Sequence, residues 1–495
     1  MVMPRAGFVG AWSRRLWSAL VVLAICPGVA ECQWFRGWAG TSVQSVELRP
    51  LGLDTIPRVD VLTDVAGRFF YEGQEVTCTL ADQCTGYLAL GKERTTLLSQ
   101  DLGGTLWGLG VQGLSFTTLV RARASFGGQF VWPRSDDDFD ALVAYAELDR
   151  GRARVRAGRQ EVRSGLGFPA FDGVSAAYRL GTHRVEVYGG RSLARGLREP
   201  ARDALSGLDD FFVDKGVVLI GLGATTRAFN STLTTRYHRE IASDRSGLVS
   251  ERASLDLSTS LDRARVIASI DYDFSFKRVG KSELTVSAPL HEARWLVELS
   301  GRRYVPYFDL STIWGFFEPV SYTEILARTA WSPFTELGVW ISGGRRSYGD
   351  TETAVVIQPL SDTGWRADAG ARWQVSPQWT LDGRYELEWG SGGFLNAIDA
   401  GTRYMPSERV GASLTLMSFQ QVEEYRLGDG RAFGASASID YELSPRTSVL
   451  GGLSLLRHRD GGNVFTSPWN QTRAWTSVRV ELGGDPGLSA REAGR

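Results

Sequence analysis

Arg152, Arg154 and Arg156 alternate with Ala153, Val155 and Ala157 in the stretch RARVRAGRQ. In extended backbone that period of two places the three guanidinium groups on one face, at intervals of about 7 Å. Such a ladder favours anions where it lines an aqueous passage. Where acids on neighbouring strands, such as Glu147 or Glu186, take up its charge, it stiffens and solvates a wall instead. Both readings stand at this point. A second row, Asp382, Arg384, Glu386 and Glu388, alternates with Leu381, Gly383, Tyr385 and Leu387 inside WTLDGRYELEW. Its mixed sign describes an amphoteric surface, which argues against strong selection for polyanions.

Other chemistry is sparse. The four histidines are His183, His238, His291 and His458. His238-Arg239-Glu240 and His458-Arg459-Asp460 each set an acid two positions from a histidine. A hydrolytic site needs a nucleophile, a base and an orienting group converging on one wall, and no such set is visible. No catalytic residue is assigned, and the chain is not expected to be an enzyme. Phosphate loops, zinc-ligand spacings and nucleic-acid motifs are missing, so no cofactor, metal or nucleic-acid partner is expected. Cys78 and Cys84, six positions apart in EVTCTLADQC, read as a small disulfide, because no histidine lies nearby to complete a metal set. The most aromatic segment is RRYVPYFDLSTIWGFFEPV, residues 302–320, with Tyr304, Tyr307, Phe308, Trp314, Phe316 and Phe317. Three readings are open: a loop folded inward to narrow a bore and stack on sugar rings, a docking surface, or strand extension into an interfacial girdle.

The elements that position these residues are strands. RVIASIDYDFSF and AFGASASIDYEL repeat the alternation of WTLDGRYELEW, and almost no segment sustains a period of 3.6. Length separates two architectures. Strands of a soluble sandwich usually have about five or six residues, whereas these runs of about ten to twelve suit a membrane-spanning barrel. From Trp379 to Trp389 extended chain covers roughly 34 Å, and a tilt of about 40° leaves roughly 26 Å of height, close to the apolar band of an outer-membrane barrel. The charged face cannot meet lipid, so it lines the inside. Tight reversals are expected at Ser332-Pro333, Ser376-Pro377 and Ser444-Pro445, with Ala288-Pro289 and Met405-Pro406 similar. Further reversals fit Arg150-Gly151, Leu180-Gly181, Phe229-Asn230 and Leu261-Asp262. Longer irregular segments lie at 191–215, 240–248, 302–318, 346–363, 390–394 and 459–469. Short periplasmic turns opposite long extracellular loops are the asymmetry of such barrels. The expectation is an all-β, antiparallel transmembrane β-barrel of about 20 strands, an even number between 18 and 22.

Composition agrees. Of 495 residues 43% are apolar and 22% charged, which excludes a disordered chain, and 57 glycines with 16 tryptophans suit bends and interfacial rings. The formal net charge of −1 gives no global field for nucleic acid. Arg5, Arg14 and Arg15 precede the apolar run LWSALVVLAIC, with small residues at Gly28 and Ala30, the layout of a secretory signal. The expected organisation is a signal peptide over 1–30, an N-terminal extension, plug or extra first hairpin over 31–95, the barrel over 96–482, and a polar tail over 483–495.

Residues 142–190, LVAYAELDRGRARVRAGRQEVRSGLGFPAFDGVSAAYRLGTHRVEVYGG, resemble the alginate-export family of outer-membrane porins. There a strand ending Gly-Arg-Gln leads through a loop into Phe-Asp-Gly-Val and the next strand. The matching positions are Gly158, Arg159 and Gln160, then Phe171, Asp172, Gly173 and Val174, joined by the abbreviated loop EVRSGLGFPA. The resemblance implies an 18-strand channel with a charged lumen for a polyanionic sugar. The residues themselves point to a channel for passive diffusion of small or oligomeric solutes. Export of an anionic polysaccharide and a blocked barrel serving as a structural or adhesive surface protein are the alternatives. The expected partners are outer-membrane lipid and small solutes or oligosaccharides, with a homo-oligomer open, in a Gram-negative bacterium.

Overall fold

The computed structural model describes residues 34–48, 51–65, 67–71, 74–78, 83–89, 92–127, 139–167, 169–193, 216–242, 247–291, 294–305, 321–349, 362–390, 393–422, 430–460 and 469–483. β1 (Trp34–Leu48) is followed by five short strands: β2 (Leu51–Pro57), β3 (Leu62–Thr63), β4 (Phe69–Tyr71), β5 (Gln74–Cys78) and β6 (Gln83–Ala89). Long strands then succeed one another: β7 (Glu93–Trp107), β8 (Leu114–Gly127), β9 (Phe139–Arg150), β10 (Ala153–Glu161), β11 (Ala170–Leu180), β12 (His183–Ser192) and β13 (Val217–Ala228). Next come β14 (Ser231–Ala242), β15 (Leu248–Leu261), β16 (Ala264–Asp273), β17 (Arg278–Leu290), β18 (Trp295–Tyr304), β19 (Tyr322–Phe334) and β20 (Leu337–Tyr348). The chain continues through β21 (Thr363–Gln374), β22 (Trp379–Gly390), β23 (Gly393–Ser407), β24 (Val410–Val422), β25 (Gly430–Ser444), β26 (Thr447–Asp460) and β27 (Trp469–Gly483). No α-helix occurs among the described residues.

Twenty-two strands make one antiparallel sheet in which β1 pairs with β27 on one side and β7 on the other. The sheet therefore closes into a barrel with no free edge. The count is 22, the upper limit of the expected range, rather than about 20 or the 18 implied by the family resemblance. The difference arises at the start of the chain. Of the extension, plug and extra first hairpin left open for residues 31–95, the structure shows the hairpin: β1 and the first residues of β7 are barrel wall. The two form a hairpin that carries β2–β6 as a five-stranded sheet at its tip. That small sheet packs Ile56, Val76 and Cys84 together, and the Cys78–Cys84 disulfide joins directly opposed positions of β5 and β6.

Every second connection is short. Two residues suffice at Gly151–Arg152, Gly181–Thr182, Phe229–Asn230 and Asp262–Arg263, where the left-handed φ that hairpin turns demand falls on Gly151, Gly181, Phe229 and Asp262. At the opposite rim the strand ends are separated by the longer stretches 162–169, 193–216, 305–321 and 349–362 of sequence, and β2–β6 follow from that same rim. Two expected Ser-Pro or Met-Pro reversals are displaced. Pro333 and Pro406 sit inside strands at register shifts, Trp331/Phe334 and Tyr404/Ser407, one step before the turn. Proline lacks the ladder donor, so a bulge accepts it. Pro289 likewise lies within β17, opposite Leu296. RVIASIDYDFSF stops being strand at Asp273, whose carboxylate accepts the backbone N–H groups of Ser275 at 2.9 Å and Phe276 at 3.2 Å and bends the chain. The last strand runs through Gly483; the expected signal peptide over 1–30 and residues 484–495 of the expected tail lie outside the described residues.

Candidate functional site: the inner wall

Burial is inverted relative to a soluble protein. On β19 Ile325 is 61% exposed while its neighbour Glu324 is 9% exposed, and on β20 Ile341 at 59% adjoins Ser342 at 4%. Buried polar groups and exposed branched aliphatics are the informative departures from ordinary packing. Together they say that the apolar face looks outward and the polar face inward. In WTLDGRYELEW the alternation sets the faces: Trp379, Leu381, Tyr385 and Trp389 are exposed on the outside. Asp382, Arg384, Glu386 and Glu388 take the alternate, inward positions.

The arginine ladder is shorter than its spacing suggests. Arg152 lies in the two-residue turn before β10, so it is not a rung of the wall. Arg154 and Arg156 stand opposite Asp149 and Glu147 in the β9–β10 register. Arg154 reaches Asp149 at 2.9 Å and Glu147 at 3.9 Å. Arg156 pairs with Glu147 and lies 4.9 Å over the Tyr145 ring. The pairing reading therefore describes these two residues. The same pattern recurs inside: Arg121 with Asp101, Arg123 with Asp140, Arg236 with Glu186, and Arg252 with Asp271.

The second row belongs to a larger network. Arg346 Nη1 contacts Glu388 at 2.5 Å and its Nη2 contacts Glu324 at 2.6 Å. Glu386 accepts from Arg366 at 2.8 Å and meets Arg384 at 3.0 Å. Above this network sits a row of rings that the sequence did not disclose. Tyr304, Tyr322 and Tyr348 are direct register partners on β18, β19 and β20. Their centroids are 5.6 and 6.2 Å apart. Arg302 lies 5.1 Å over Tyr304, and Arg346 lies 4.6 Å over Tyr322. Each tyrosine is the last or first residue of its strand at the long-segment rim, so only the register unites them. Of the aromatic set at 302–320, Tyr304 belongs to this row; Tyr307, Phe308, Trp314, Phe316 and Phe317 lie outside the described residues.

The two halves of the family-like motif face one another. Gly158 is opposite Gly173, Arg159 opposite Asp172, and Gln160 opposite Phe171. Arg159 and Asp172 point outward and form a two-pronged pair at 2.7 and 2.8 Å, with Arg159 also donating to the Ala141 carbonyl. Gln160 points inward, accepting from Ser175 at 2.6 Å and donating to the Gly173 carbonyl at 3.1 Å. The intervening loop folds into the barrel. Val162 joins Phe171, Tyr188 and Leu219 in a buried apolar knot, with the Phe171 and Tyr188 rings stacked at 5.6 Å. Gly165 approaches so near Asp256 on β15 that an added Cβ would lie 2.7 Å from the carboxylate. The described part of this inward loop, 162–167 with Pro169, is the candidate for narrowing the bore. Beyond it the polar wall is deeply covered: His238 is 1% exposed and Ser250 is fully buried.

No family model and no curated protein matches the chain. A ferric enterobactin receptor variant of Pseudomonas aeruginosa, in complex with enterobactin, is similar at a TM-score of 0.50 and 10% identity, over 90% of this chain and 81% of that one. A BenF-like porin from Pseudomonas fluorescens Pf-5 aligns at 0.43 and 10%, over 90% and 99%. The P pilus usher (PapC) translocation pore aligns at 0.43 and 10%, over 91% and 100%. At such identity the likeness concerns fold. A closed 22-strand barrel with an apolar exterior is an outer-membrane architecture of Gram-negative bacteria.

Proposed function

We propose that the protein is an outer-membrane channel for passive diffusion of small or oligomeric solutes. The observation that carries this reading is the inner wall: a closed, polar lining in which Arg154, Arg156, Arg346 and Arg366 are paired with acids of adjacent strands. Paired charge hydrates a passage without holding a polyion, so it supports broad passage more than strong anion selection. The tyrosine row with Arg302 and Arg346 adds flat faces suited to sugar rings or other planar solutes entering at the rim. Export of an anionic polysaccharide, the activity attached to the local resemblance, draws less support from a neutralised wall. One specific observation favours a blocked barrel: the inward loop 162–169 and the knot that anchors it.

Reconstitution in a planar bilayer tests both. Steady ohmic steps, interrupted by added neutral oligosaccharide, support the channel. Silence in the parent protein, followed by conductance once residues 163–168 are replaced by a short glycine link, supports the blocked barrel. Silence in both overturns the channel.

A further inference from the structure

The outward face carries charge where it should carry none, and arginines gather there toward one rim. Arg431 and Arg459 are directly opposed on β25 and β26, and both belong to the lipid-facing row that includes Phe433 and Leu455. Like charges opposed in this way repel. Among the described residues neither has a carboxylate partner: Arg431 donates to Gln420 at 3.2 Å, and Arg459 lies 5.7 Å over the Phe433 ring. Arg457, opposite Phe433 on the same outer face, is exposed. Three guanidinium groups thus converge on one patch of the exterior.

Height identifies the environment. Tyr441 lies on the same face of β25, ten positions away beside a short turn. That separation is roughly 34 Å of strand and, at a tilt of about 40°, roughly 26 Å across the membrane, which places Arg431 at the far limit of the apolar band. Arg191, Arg239, Arg303 and Arg345 take outward positions toward the same rim of other strands. At the short-turn end the outward strand positions hold rings instead, among them Tyr178, Trp295, Trp331 and Trp379. Arg150, at the lip of its turn, is the exception. Two bases in those turns stand beside acids, in Asp262–Arg263 and Glu408–Arg409, while Arg152 and Arg446 stand in turns without one.

The geometry points to a binding site for the phosphate groups of an anionic glycolipid in the leaflet at the long-segment rim, built from Arg431, Arg457 and Arg459. A phosphate between the opposed guanidiniums converts their repulsion into charge-assisted hydrogen bonds, and Arg457 supplies a further donor from the next position on that face. Acyl chains of the same molecule would run down the apolar exterior past Phe433 and Leu455. Occupancy also fixes orientation, because the rim that bears β2–β6 must then face the phosphoglycolipid leaflet. The site does not depend on whether the barrel conducts.

Native mass spectrometry of the full-length barrel folded in detergent provides the test, with three probes: an acylated glucosamine disaccharide bearing two phosphates, the same lipid without phosphates, and phosphatidylglycerol. The bisphosphorylated lipid is expected to stay bound, and R431Q/R457Q/R459Q to weaken it about tenfold, as loss of charge-assisted bonds requires. Heat-modifiable gel migration reports whether the variant folds. If the triple variant does not fold, Arg457→Gln alone is the measurement, with about a threefold loss expected. Arg263→Gln, in a short turn at the opposite rim, is expected to leave lipid retention unchanged. Equal retention by parent and variant overturns the site, as does equal binding of the dephosphorylated lipid or of phosphatidylglycerol.

Discussion

A guanidinium on the inner wall contributes only the charge that its neighbours leave uncompensated. Arg154 and Arg156 share Glu147 and Asp149, so the set is near neutrality. Removing one base leaves acids behind. Arg154→Ser is therefore expected to move the reversal potential in a salt gradient toward cation preference, and Glu147→Gln to move it the opposite way, both read in planar bilayers. An unchanged potential in the two variants would take this stretch of wall out of the conduction path. For the tyrosine row, Tyr322→Ala removes the central ring and its contacts to both neighbours. If sugars stack there, their blocking affinity should fall by roughly threefold to tenfold, matching about 0.5–1.5 kcal/mol for an aromatic contact. The shared inward face of Arg154 and Arg156 was legible from alternation alone, though not that Arg152 falls in the turn. Whether Arg154 and Arg156 were free or paired was not, because that depends on register between strands, which a single run of sequence does not contain.

Strands meet tightly where the motif halves oppose each other. Gly158 adopts φ +125, and an added Cβ would lie 2.2 Å from the Ala144 carbonyl oxygen. Gly173, its partner, would place a Cβ 2.1 Å from the Gly189 carbonyl oxygen. Backbones this close leave no room for a side chain, and together they form the bend from which loop 162–169 turns inward. Gly158→Ala is expected to destabilise the folded barrel by about 1–3 kcal/mol, the range for a residue forced into a sparsely populated conformation. Denaturant titration of refolded protein in vesicles measures it, and a change within error would mean that β9 and β10 can separate there. Arg159→Ala, which breaks the outer clasp to Asp172, tests the same hairpin from the lipid side and should cost less. The loop was visible in the sequence as EVRSGLGFPA, yet its direction was not. What pulls it in is Val162 meeting Phe171, Tyr188 and Leu219 across four different segments of chain, a contact with no local signature.

At the scale of the molecule, the alternating pattern and strand length foretold a tube with a polar inside, and the inverted burial agrees. The first wall strand escaped because WFRGWAGTSVQSVEL breaks its alternation with small residues and leads into the disulfide sheet, which masks its pairing with distant segments. The sheet and the wall are separate packing units: Ile56, Val76 and Cys84 make a core of their own. Cys78→Ser with Cys84→Ser is accordingly expected to leave heat-modifiable migration of the barrel unchanged while exposing residues 51–89 to proteolysis. Loss of the heat-modifiable form would show instead that the sheet supports closure.

β1 and β27 lie side by side, with Arg36 opposite Gly483. To the finished ring, then, the point at which the polypeptide starts is arbitrary. A gene rearranged to begin at Ala264 and end at Leu261, with a brief linker uniting Gly483 to Trp34, should encode the same cylinder.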